Sequence, residues 1–206
     1  VGDAGWSPRN LQQRVLGLTL SALIIHLPLS VRVRRRACQA GGLVLNLVVL
    51  VPILWGWFAP PLGTSPLTCV QCMVPCLVQW ILFLVGAGGA VVAGSTALTL
   101  GLCALLSGRG LDLRWSARRD LLACLRQATG ITLVALGAGL AMGVWWAWQV
   151  TGRLTAGDPR EGWLVVGWVL AATSWVAWRL GRQGGRWAAV LIMLAASVAM
   201  TGLLIV

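Results

Sequence analysis

The chain has 206 residues, of which 58% are hydrophobic and 10% charged, with a mean hydropathy of +0.85 and a net charge of +11. A soluble domain of this length has no core large enough to hide so much apolar surface, so an ordinary soluble fold is excluded and burial in a lipid bilayer is expected. A nucleic-acid partner is excluded too, because the basic residues stand in short runs at the ends of apolar stretches rather than along one polar face with aromatics between them.

All the basic residues are Arg, sixteen of them, and the chain has no Tyr. Codon bias in a GC-rich genome explains this, and it makes the choice of Arg over Lys uninformative at any single site. The chain opens on Val1 rather than Met, so signal-peptide arguments do not apply. One transmembrane domain over residues 1–206 is expected, since the polar breaks are short and no Ser, Pro or Gln linker separates two compositions.

Six stretches approach the ~20 apolar residues that a helix needs to span a bilayer. They are residues 14–31, 41–58, 75–106, 127–149, 163–179 and 187–206. The expected fold is all-α, a polytopic transmembrane helix bundle of five or six spans. The first stretch is the weakest: it is barely long enough and is interrupted by His26 and Pro28, so an interfacial helix carrying Arg14 is the alternative. The third, at 32 residues, is too long for a simple span. It either tilts and projects beyond the bilayer or breaks near Gly86, Gly88 and Gly89.

Arginines then orient the spans, because short cytoplasmic loops retain them. Arg32, Arg34, Arg35 and Arg36 follow the first span; Arg109, Arg114, Arg118, Arg119 and Arg126 follow the third; Arg179, Arg182 and Arg186 follow the fifth. With those loops inside, twelve arginines are cytoplasmic and only Arg9, Arg14, Arg153 and Arg160 are outside. Both termini and the loop around Asp158 then face the periplasm, or the lumen of an organelle. The ordinary role of each cluster is topology and contact with lipid headgroups.

Along the third span, Cys69, Cys72 and Cys76 form a cluster at the outer end. Cys-x-x-Cys spacing suits a metal, a redox-active disulfide or inert thiols in apolar surroundings. Three thiolates with no histidine nearby make a poor metal site, and an oxidising outer compartment favours a disulfide. Cys38, Cys103 and Cys124 are isolated near the inner face and read as small buried hydrophobes. Most of the thirteen tryptophans fall near predicted boundaries, as an interfacial aromatic belt does.

Between the fourth and fifth stretches lies Gly157-Asp158-Pro159-Arg160-Glu161-Gly162-Trp163, with two of the five carboxylates of the chain. Asp158 before a proline is driven from the helical region and is suited to cap a helix whose first residue is Pro159. Glu161 in the first turn is then favoured by the positive end of the helix dipole.

The wider spacing carries a resemblance. Gly143-Val144-Trp145-Trp146-Ala147 is followed by ten residues, then Asp158-Pro159-Arg160-Glu161-Gly162-Trp163, then four residues and Trp168. Over about residues 120–206 this resembles the tryptophan-rich signature of the haem-handling membrane proteins of cytochrome c assembly (CcsA/ResC, CcmC and CcmF). The resemblance implies an outer-face loop that presents haem to an apocytochrome, with Trp146, Trp163 and Trp168 near the porphyrin and histidines of flanking segments on the iron.

Departures from the family pattern bear on function. Where the family carries Trp, Gly and two further Trp within the interval, this chain has Thr151, Gly152, Thr155 and Gly157. Three missing indoles remove much of the flat apolar contact a porphyrin needs. Gln71 and Cys72 stand where the family has a histidine, and no His-Ser-Tyr stretch precedes Val206. His26 is the one imidazole, either a haem ligand or a ring hydrogen-bonded to a neighbouring helix.

No phosphate-binding glycine loop, intramembrane carboxylate pair or Ser/His/Asp set is present in the sequence, so enzymatic activity is not expected. The favoured expectation is a non-catalytic structural or accessory subunit of a larger membrane complex, a member of the cytochrome c assembly group whose haem site is degenerate. Active haem handling at the outer face is the alternative, and a thiol-redox protein using Cys69 and Cys72 a minor one. Expected partners are the bilayer, other membrane subunits, and haem or an apocytochrome.

Overall fold

The computed structural model describes residues 11–32, 73–107, 115–152, 159–179 and 184–204. They form five helices: α1 (Leu11–Arg32), α2 (Met73–Ser107), α3 (Trp115–Thr151), α4 (Pro159–Arg179) and α5 (Gly184–Leu204). The fold is all-α, and α2 and α3 contain apolar segments of 29 and 32 residues, long enough to cross a membrane. The expected span 41–58 lies outside the described residues.

Helix α1 runs without a break through His26 and Pro28, although the proline removes one intrahelical donor. Its buried stripe of Val15, Leu18, Ala22, Ile25 and Leu29 keeps helical spacing, and tertiary packing along that stripe outweighs the local defect. Helix α2 is likewise continuous, so the break considered near Gly86, Gly88 and Gly89 does not occur. Those glycines are where neighbours come closest. A Cβ on Gly86 would lie 2.6 Å from Leu136 Cγ, one on Gly88 2.6 Å from Ser21 Oγ, and one on Gly89 2.8 Å from Thr132 Oγ1. Contact between backbones replaces the stability that glycine costs an isolated helix.

Helix α2 is therefore the hub, packed on α1, α3 and α5, while α3 also packs on α4 and α4 on α5. The most apolar window of α2 is 72% buried and that of α3 only 39%, which separates a central helix from a peripheral one. Gly86 meets Leu136 and Gly139 meets Phe83, so α2 and α3 are antiparallel. Helices α3 and α4 are antiparallel as well, with Gly130 on Trp175 and Gly137 on Trp168. In contrast, Gly17 meets Leu84 and Ser21 meets Gly88, so α1 and α2 run parallel.

Small side chains and hydroxyls make much of the interior. Ser21, Ser95, Thr96, Thr99, Thr129, Thr132 and Ser174 are buried, and each hydroxyl donates to a backbone carbonyl. Two of these bonds tie helices together: Ser21 Oγ donates to the Leu84 carbonyl at 2.9 Å and Ser174 Oγ to the Ala188 carbonyl at 2.8 Å. Large apolar side chains also face outward on every helix, among them Leu16 at 70% exposure, Leu105 at 75%, Val134 at 75%, Val166 at 48% and Trp187 at 68%.

Candidate functional site at the loop-bearing end

The end of the bundle formed by the C-terminus of α3 and the N-termini of α2 and α4 contains most of the residues singled out by the sequence. Helix α3 stops at Thr151 because Gly152 takes φ +65°, and the Gly152 amide donates back to the Trp148 carbonyl at 3.0 Å. A left-handed residue past the last turn is the usual glycine helix stop. Gly152 is the one residue of the tryptophan-rich interval that matches the family pattern, and its backbone conformation gives a structural reason for a glycine there.

Helix α4 starts at Pro159 with Glu161 in its first turn, as the local chemistry of Asp-Pro-x-Glu predicts. Asp158 lies outside the described residues, and Pro159 and Arg160 are described as backbone only. Glu161 is half-buried and turned toward α3. A Cβ on Gly143 would meet Gln79 Nε2 and would stand 3.4 Å from Glu161 Oε1. The side chains of Gln79 from α2 and Glu161 from α4 thus converge over one glycine of α3. The sequence reading missed Gln79, because its position depends on the register between helices far apart in the chain.

Trp146 is half-buried and its ring lies 6.4 Å from that of Trp145, tilted by 50°. Trp163 is exposed on α4, about one residue from the level of Gly143 in the α3–α4 pairing. Trp168 lies deeper. Its Nε1 donates to the Leu133 carbonyl at 3.0 Å, and Gly137 leaves room for the indole, since a Cβ there would stand 3.0 Å from Nε1. Trp168 therefore joins α4 to the backbone of α3.

His26 is half-buried on α1 and belongs to another level of the bundle. Ser21 meets Gly88, and His26 is more than one turn beyond it, whereas Trp146 is nearly one turn beyond the pair Gly143–Gln79 in the opposite direction. At 1.5 Å rise per residue, His26 and Trp146 are roughly 26 Å apart along the helix axis. The structure does not bring them to one site. Cys76 is in the first turn of α2, and Cys69 and Cys72 lie outside the described residues. Cys124 is buried with Sγ 3.9 Å from Thr96 Oγ1, as a small core residue, and Cys103 is half-buried. Among the described residues no three His, Cys, Asp or Glu side chains gather as a metal site.

Comparison with family models, curated proteins and solved structures finds no match. Chemical assignment of the site rests on its residues. An amide and a carboxylate over Gly143, flanked by exposed indoles, can hold three helix ends together and offer a polar, aromatic surface to a partner.

Proposed function

We propose that the protein is an integral membrane helix bundle of five or six spans, and that it serves as a non-catalytic structural or accessory subunit of a larger membrane complex. In this reading it keeps the scaffold of the cytochrome c assembly proteins it resembles, with a degenerate haem site. The observation that carries the membrane part is the outward-facing apolar surface on all five helices, around an interior in which Ala, Gly, Ser and Thr pack among buried Leu, Ile and Val. Soluble monomers rarely expose contiguous apolar patches beyond a few hundred Å². Lipid removes that cost, and hydroxyls that donate to helix carbonyls suit a medium without water. The shorter apolar runs Val15–Leu29 and Trp187–Leu203 join the two long ones as packed members of the bundle.

The accessory role rests on Thr151, Thr155 and Gly157 standing where the family has indoles, and on the distance between His26 and the loop-bearing end. The exposed ring of Trp163 favours the second reading, haem handling at the outer face, with an apocytochrome or other subunits as partner. A pyridine haemochrome spectrum of gently solubilised protein, run beside a native gel with in-gel mass spectrometry, separates the two. The accessory reading expects no stoichiometric haem and migration in a large assembly. A monodisperse, haem-containing monomer overturns it.

A further inference from the structure

The opposite end of the bundle carries a second arrangement. On α3, Leu122, Ala123 and Arg126 face Trp175, Trp178 and Arg179 of α4 across an open-sided cleft of about 240 Å³. Gly130 lies beside it: a Cβ there would stand 3.7 Å from Trp175 Cζ3, an ordinary contact distance, so the indole packs against α3 at this level. Arg126 is one turn before Gly130 on α3 and Arg179 one turn after Trp175 on α4. In an antiparallel pair, both arginines therefore reach the same ring. Their Cζ atoms stand 5.6 Å and 6.0 Å from its centroid.

Two guanidinium cations on one indole gain cation–π attraction but repel each other, and no acidic side chain lines the cleft among the described residues. Trp178 lines the same cleft, and its Nε1 is buried with no acceptor among the described residues. Two cations held over one ring, with no acid lining the cleft among the described residues, mark a place for an anion. Arginine on an aromatic platform presents a planar fork suited to phosphate oxygens. The volume selects among anions, because about 240 Å³ is below the roughly 300–1,000 Å³ of sites that enclose whole organic ligands. It has room for a phosphate group whose remainder lies outside the cleft.

We propose that the Arg126–Trp175–Arg179 cleft is a phosphate-binding site, occupied by the phosphodiester headgroup of an anionic lipid. This rests on the membrane reading above, though not on the accessory role. Native mass spectrometry of the full chain, released from micelles doped with equal phosphatidylglycerol and phosphatidylcholine, tests it. The wild type is expected to retain one phosphatidylglycerol preferentially. R126Q/R179Q is expected to lose that preference by about tenfold, the scale set by losing charge-assisted bonds. R118Q/R119Q, which removes equal charge from the same end at residues that do not line the cleft, is expected to keep it. Displacement of the lipid by millimolar inorganic phosphate would retain the site and overturn the lipid as its occupant. Equal loss in the two double variants, or no preference in the wild type, overturns the site. Carbonate extraction of membranes is the separating control: a chain that stays in the pellet yet shows no preference sinks the cleft alone, whereas release into the supernatant sinks the membrane reading.

Discussion

At the scale of single residues, the glycines of α2 distinguish contact from propensity. Gly88 has Ser21 Oγ 2.6 Å and the Ala22 amide nitrogen 2.9 Å from the position of a Cβ, and the second of these is backbone that cannot rotate away. Gly101, on the same helix, has nothing within 4 Å. Gly88→Ala is therefore expected to destabilise the α1–α2 contact by about 1–3 kcal/mol, the usual cost of overpacking. Gly101→Ala is expected to stabilise by roughly 0.5–1 kcal/mol, because alanine loses less backbone freedom in a helix. Thermal unfolding of both variants in one detergent checks the pair. Equal effects would mean that glycine acts through helix propensity alone. Gly152 depends on a different property, since φ +65° is left-handed, and a side chain there would strain the end of α3 whatever the space around it.

At the scale of elements, hydropathy located the four described stretches near 14–31, 75–106, 163–179 and 187–206 to within a few residues. It missed the first turns of α3, which begins at Trp115 rather than residue 127. Arg118, Arg119, Asp120 and Arg126 lower the apolar count there, yet Leu121, Cys124, Leu125 and Ala128 form a buried stripe at helical spacing beneath them. Periodicity held the signal that mean hydropathy lost. The start of α4 was legible because Pro159 and Glu161 act locally, whereas Gln79 over Gly143 and Trp175 over Gly130 depend on interhelical register. Trp168 shows how register changes the meaning of a motif residue. As the donor to the Leu133 carbonyl it ties α4 to α3. Trp168→Phe keeps the aromatic bulk and removes the donor, so a loss of about 0.5–1.5 kcal/mol is expected. Amide exchange should rise along the α3–α4 contact, and unchanged stability and exchange would show that the bond contributes nothing.

At the scale of the whole molecule, the helix directions constrain the topology more tightly than the arginine count. Helices α1 and α2 run parallel, and α3 runs antiparallel to both. The same directions place the end of α1, the start of α3, the end of α4 and the start of α5 at one end of the bundle. Arg32, Arg118, Arg126 and Arg179 thus belong to that end, and Gly152, Pro159 and Glu161 to the other. If the bundle spans a bilayer, the positive-inside rule requires the arginine end to be cytoplasmic. Single cysteines placed in a chain whose native cysteines are replaced test this, with Gly110→Cys between α2 and α3 and Thr155→Cys between α3 and α4. In sealed spheroplasts, a membrane-impermeant maleimide should label T155C directly and G110C only after permeabilisation. The reverse pattern would invert the orientation and move the phosphate cleft to the outer face. Labelling of both from one side would mean that α3 does not cross, and the apolar surface of the bundle would then need a protein partner rather than lipid.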